Sequence, residues 1–234
     1  MNLIKKLIIK LTLQTPPILK DIKSEFMIDK ISTISKISIN NVDNNILEKL
    51  NLQQRSFGKL NQDKIFYVIK RTPGAGMFSN ITFVLNHLKI CEKYGFIPVI
   101  DMQNFLTIYN ERKKIKKNLN AWNYYFKNLN NYSLNEVYNS KNVLITNDKF
   151  FHFFSYNIEK DLELIKLLNS KIVINKYMKT CFEKLSKKFI NKKILGIHFR
   201  GTSYKRSAGH PLPATINQMY KMTEKLLEEN DIDN

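Results

Sequence analysis

"KIFYVIKRTPGAGMFSNITFVLNHLKICEKYGFIPVID", residues 64–101, is the stretch that decides the fold of this chain. Residues 64–70 form a short β-rich run, and "RTPGAGM" after them has the composition of a loop. From there Ile81, Leu85, Leu88 and Cys91 recur at helical spacing. Gly95 stands where a helix-terminating glycine belongs, and "FIPVID" restarts as a buried strand. The order strand, glycine loop, helix, strand predicts a parallel sheet with a right-handed crossover, and in such sheets ligands bind beyond the carboxyl ends of the strands. Residues 71–80 therefore line a candidate crevice.

The loop "GAGMFSN" is not a Walker A motif, since no Gly-Lys-Ser/Thr follows, and it falls short of a dinucleotide fingerprint. Its chemistry is narrower. Gly74 and Gly76 let backbone N–H groups approach an anion at a helix N-terminus, where Ser79 and Asn80 can also hydrogen-bond. The plainer reading is a tight turn whose glycines supply positive φ.

Further along, "NAWNYYFKNL" at 120–129 is aromatic-rich: Trp122, Tyr124, Tyr125 and Phe126 either stack on a sugar or, as such clusters more often do, build core. "YSLNEVY" reads as a short helix capped by Ser133, "NVLIT" as a buried strand, and residues 161–190 as one long helical stretch. "KILGIHF", 193–199, then reads as a strand that places His198 and Arg200 on one face at its carboxyl end. After the loop ending in "GHPLP", the segment 214–229 is amphipathic, with Met219, Met222 and Leu226 on one face. This is the first half of a second βαβ unit, whose return strand would lie beyond Asn234. Residues 1–62 read as an N-terminal extension without an active-site constellation.

The 234-residue chain is 43% hydrophobic, enough for a sizeable core, and carries a formal charge of +18. Lysine, asparagine and isoleucine are abundant throughout, so the charge looks like a compositional bias. No nucleic-acid motif accompanies it, and no nucleic-acid partner is expected; an anionic small ligand is retained. Cys91 and Cys181 lie far apart without metal-ligand spacing, which predicts neither a disulfide nor a metal site and fits a reducing cytoplasm. "MNLIKKLIIKLTL" at the start is too short to span a bilayer and lacks a signal-peptide cleavage site. As a helix it sets Lys5, Lys6 and Lys10 against Leu3, Ile4, Leu7, Ile8 and Leu11, a pattern that serves either peripheral contact with the inner face of the cytoplasmic membrane or ordinary packing.

Arg200 offers a planar fork that suits a diphosphate and can stabilise the charge on a departing phosphate. His198, two residues earlier, can orient that arginine or contact the same ligand. A surface ion pair beside a satisfied histidine is the plain alternative, and His210 in the following loop reads as structural. "DID" near the end resembles a metal-binding Asp-x-Asp only in letters, since it follows no strand.

Taken together, "HFRGTSY" resembles the His-x-Arg-x-Thr-Asp motif of the fucosyltransferase superfamily that uses GDP-fucose. "GAGMFSN" is similar to that superfamily's N-terminal donor loop. The series "GMFSN…FIPVIDM…YNE…NAWNYYF…YSLNEVY…GIHFRGTSY…GHPLP" resembles a bacterial branch of GDP-sugar glycosyltransferases of surface-polysaccharide assembly, over roughly residues 64–230. The resemblance implies an α/β fold of GT-B type: an N-terminal Rossmann-like, acceptor-side domain with linker helix at 63–190, then the start of an incomplete second Rossmann-like, donor-binding domain at 191–234. It implies metal-independent, inverting transfer of a sugar, fucose above others, from a GDP-sugar to a saccharide or lipid-linked saccharide acceptor, with no cofactor. Carried over by position, Arg200 binds the β-phosphate and stabilises it as leaving group; His198, Thr202 and Ser203 lie on the donor side with Gly74, Gly76 and Asn80. Ser203 stands where the motif has aspartate. Asp101, at a strand end, and Glu111 in "YNE" are the candidate general bases. The alternative expectation is an inactive truncated fragment that serves at most as a nucleotide-binding or interaction module.

Overall fold

Phe66–Ile69 is apolar at every position because both of its faces are covered. The computed structural model describes residues 33–34, 48–198 and 214–230. Five strands, β1 (Thr33–Ile34), β2 (Gln53–Ser56), β3 (Phe66–Ile69), β4 (Ile97–Ile100) and β5 (Val143–Ile145), form one sheet in the order β1-β2-β5-β3-β4. β3, next to the edge strand β4, runs parallel to both neighbours, with Val68 opposite Val99 on one side and Ile145 on the other. β2 pairs antiparallel with β5, and β1 antiparallel with β2. The chain is therefore α/β with a mixed sheet.

Alternation along β3 divides the core in two. Tyr67 and Ile69 join the larger apolar cluster with Phe83, Val84, Leu85 and Leu88, whereas Phe66 and Val68 join Val99, Phe105, Val137, Val143 and Ile145. A parallel strand buried on both sides reads as a continuous apolar run for this reason.

Helix α1 (Met77–Tyr94) provides the crossover between β3 and β4. It ends where Gly95 turns left-handed at φ 69° and donates its N–H to the Cys91 carbonyl, a conformation that costs glycine nothing. A short helix α2 (Leu134–Val137) starts at Ser133, whose Oγ accepts the Glu136 N–H at 3.1 Å. Helix α3 (Leu162–Lys171) is capped by Asp161, which accepts the N–H groups of Glu163 and Leu164, and it buries Leu164 and Leu167. Lys89 of α1 bridges Asp161 at 3.2 Å and Glu163 at 2.8 Å, tying α3 to α1.

Two expectations from the sequence need correction. Residues 161–190 are not one helix: α3 stops at Lys171 and α4 (Lys176–Ser186) begins after a break. The break falls on the β-branched run Ile172, Val173, Ile174, which extends and pairs with the aromatic segment; Lys127 N–H donates to the Val173 carbonyl at 2.8 Å. Nor does "KILGIHF" form a strand over its described part, residues 193–198, where Ile194 and Ile197 are half exposed. A strand needs a neighbour to satisfy its backbone, and no ladder reaches these residues.

The chain divides into two compact units, Met1–Met178 and Lys179–Asn234. The described part of the second contains the end of α4 and helix α5 (Ile216–Glu229), which opens with a reciprocal capping box between Thr215 and Gln218. Among the described residues no helix is long and apolar enough to cross a membrane.

Candidate functional site

The carboxyl ends of β3, β4 and β5 carry Lys70–Thr72, Asp101 and Thr146–Asp148, polar groups that serve the backbone where, beyond the last ladder bond, it must find side-chain partners. The Lys70 N–H donates to Thr146 Oγ1 at 3.0 Å, and the Thr72 N–H donates to Asp148 Oδ1 at 2.7 Å. Lys70 Nζ lies 3.6 Å from Asp148 Oδ2 and 4.8 Å above the Phe105 ring, with only 5% of its side chain exposed. These contacts fix the first residues of the glycine loop against β5.

From this anchor the chain passes the cis Thr72–Pro73 bond and turns through Gly74 at φ 79°. A side chain there would meet Asn80, whose Oδ1 would lie 3.1 Å from the added Cβ. Asn80 is buried and holds the loop from the helix side: its Oδ1 accepts the Ala75 N–H at 3.0 Å and its Nδ2 donates to the Ala75 carbonyl at 3.2 Å. Gly76 is the N-cap of α1, has no side-chain cap, and faces open space. Among the described residues no side chain accepts the first-turn N–H groups of this eighteen-residue helix, which lie at the positive end of its dipole.

Arg71 borders this helix terminus. Its guanidinium lies 4.7 Å over the Phe83 ring and 5.7 Å from Phe150, and Nη1 donates to the Ser79 carbonyl at 2.6 Å. Burial pulls its pKa below the ordinary arginine value, against the opposing charges of Asp148 and Tyr156. Arginine has five N–H donors, so the remaining ones lack an acceptor among the described residues. Arg71, Lys70 and Asp148 were not selected from the sequence, although Arg71 begins the quoted "RTPGAGM". The available signal was position, one residue past the end of a buried strand.

The structure brings Gly74, Gly76 and Asn80 together as one loop. It places the two carboxylates differently. Asp101 is fully buried, and both oxygens are engaged: Oδ1 accepts the N–H groups of Gln103 and Asn104, and Oδ2 accepts Asn104 Nδ2 and the Tyr138 hydroxyl at 2.6 Å. Burial and the neighbouring carboxylate push the Tyr138 phenol well above its ordinary pKa, keeping it a donor. That geometry argues against Asp101 as a general base, because no acceptor hydroxyl can reach it; it ties the β4 exit loop instead. Glu111 is exposed; burial raises the phenols of Tyr124 and Tyr125, opposed at Tyr124 by the Glu111 backbone and reinforced at Tyr125 by Tyr109 and the Glu111 charge. Trp122 and Tyr124 are core, with Trp122 packed 4.6 Å from Phe126. His198 is exposed and belongs to the second unit. Arg200, Thr202, Ser203 and His210 lie outside the described residues, as does the N-terminal lysine-faced segment.

The described residues contain no cluster of His, Cys, Asp or Glu suited to a metal ion. No protein-family model, no curated protein and no solved structure matches the chain.

Proposed function

We propose that this chain is a glycosyltransferase of GT-B type that moves a sugar, fucose above others, from a GDP donor to a saccharide acceptor. The observation that carries the reading is the uncapped N-terminus of α1 at the carboxyl edge of parallel strands, with Arg71 beside it and nothing crowding Gly76. Such a terminus favours an anion, and a nucleoside diphosphate is an anion that parallel α/β sheets bind at this edge. The second support is the resemblance of "HFRGTSY" to a GDP-sugar motif, with Arg200 in the place of the phosphate-binding arginine.

In the reaction an acceptor hydroxyl oxygen attacks the anomeric carbon from the face opposite the diphosphate. The new C–O bond forms as the bond to the β-phosphate oxygen breaks, the electron pair leaves with GDP, and the configuration inverts. Arg200 stabilises the developing charge on that phosphate, and the hydroxyl proton passes to a carboxylate, for which Glu111 is the accessible choice. Lining the phosphate side falls to Gly74, Gly76 and Asn80, with His198, Thr202 and Ser203 on the donor side.

Calorimetric titration of GDP, UDP and CMP into wild type and Arg200→Ala tests this. Saturable binding of GDP alone, lost in the variant, is expected. Equal affinity for all three nucleotides, or GDP binding indifferent to Arg200→Ala, would overturn the donor assignment.

A further inference from the structure

β4 is an edge strand, and its exposed side is blunted in an unusual way. Pro98 has no N–H to offer. The outward carbonyls of Pro98 and Ile100 accept side-chain amides, Asn130 Nδ2 at 2.6 Å and Asn120 Nδ2 at 2.7 Å. The segment 114–135 is thereby laced to the strand, and a cleft of about 370 Å³ opens between them. A second cleft of about 330 Å³ adjoins it, the two sharing Asn118, Asn123 and Asn128. Each falls in the size range of small-molecule sites.

The amides around the first cleft are of two kinds. Asn120 and Asn130 are spent on the strand edge, whereas the side chains of Gln103, Asn128 and Asn135 line the cleft without a hydrogen bond to any described residue. Of the rings, Trp122 is 2% exposed and walls the first cleft, whereas Tyr177 in the second is 46% exposed with Lys116 Nζ 4.8 Å over its face. With Trp122 buried, recognition in the first cleft falls to the amides, which pair with hydroxyl groups. Among the described residues no carboxylate lines either cleft, while Lys114 and Lys117 line the first and Lys116 and Lys176 the second.

We propose that the double cleft beside β4 binds an acidic oligosaccharide of two or more sugar rings, its hydroxyls on the free amides and its carboxylates toward the lysines. If the chain transfers a sugar, this names its acceptor class, a point that rests on the function proposed above. The binding itself does not need a donor.

Trigalacturonic acid and maltotriose titrated into the full chain, without nucleotide, test it. Trigalacturonic acid is expected to bind, and Gln103→Leu with Asn128→Leu to weaken it about tenfold, the scale of one or two lost hydrogen bonds. Lys114→Gln with Lys117→Gln should erase the preference over maltotriose while sparing binding of the neutral sugar. Failure of both sugars to bind a folded sample, or binding indifferent to the amide substitutions, would overturn the proposal. A (dT)6 oligonucleotide that binds more tightly and responds to the same amides would overturn it in favour of nucleic acid. Loss of GDP binding with trigalacturonic acid still bound would refute the donor assignment alone.

Discussion

His87 offers the sharpest test of the core. Its ring is completely buried on α1, with Phe83 4.5 Å and Phe154 5.0 Å away and Tyr67 Oη sharing a hydrogen bond with Nδ1 at 2.9 Å, while Nε2 has no partner among the described residues. Burial, helped by the charge of Arg71, lowers its pKa from 6.5 to about 3. The folded state therefore holds a neutral imidazole at pH values where the unfolded chain binds a proton. Stability must fall as pH drops below 6.5, with a slope approaching about 1.4 kcal/mol per pH unit, and level off near the folded value. Between pH 7 and pH 5, above the range of most carboxylates, the loss amounts to about 2 kcal/mol, or roughly 1 M in urea midpoint. Trp122 is the one tryptophan of the chain and lies buried in the same core cluster as the residues around His87, so its fluorescence reports this unit. Urea titrations at pH 7 and pH 5 on wild type and His87→Leu are the assay. The variant should lose the extra pH dependence whatever its absolute stability. Parallel profiles for the two proteins would refute the buried neutral imidazole.

The glycine loop and its anchor give two further expectations. Gly74→Ala should cost about 1–2 kcal/mol, because alanine at φ 79° is strained and its Cβ presses on Asn80, whereas Gly76→Ala, in open space, should cost less than about 1 kcal/mol; equal thermal shifts would contradict the loop geometry. Asp148→Asn removes the carboxylate facing the largely buried Lys70 and should cost about 1–3 kcal/mol, with Lys70→Met in the same chain recovering part of the loss; additive effects of the two changes would show that the pair is not coupled.

The parts of this fold that the sequence displays are those coded locally. The helical spacing of Ile81, Leu85 and Leu88, the αL glycine at 95 and the Ser133 cap each involve residues within a turn or two of one another. β2 is different: "QQRS" is polar, and it becomes a strand because Gln53–Arg55 pairs with Val143–Ile145, far along the chain. Nothing near it in the chain announces that partner. The break at 172–175 had a local signal in its β-branched run, but amphipathic flanks on both sides masked it. Asp101 shows a different ambiguity. An aspartate at a strand end suits a base reaching into a crevice, and equally a turn that accepts the N–H groups two and three residues on; only the placement of Tyr138 distinguishes the two.

Net charge is a weak guide to where an anion binds, and Arg71 shows why. Exposed lysines spread over the surface attract any polyanion, but their pull is screened within about 8–10 Å at ordinary ionic strength. Arg71 is held between Phe83 and the Ser79 carbonyl, partly out of water, and burial, which outweighs the attraction of Asp148, makes its charge costly. An anion seated between it and the first turn of α1 would relieve that cost and would be screened far less. Binding at this site should therefore keep most of its affinity as salt rises, while adventitious binding to the lysine surface collapses. The salt profile separates a built site from a basic surface on physical grounds that the +18 charge alone does not supply.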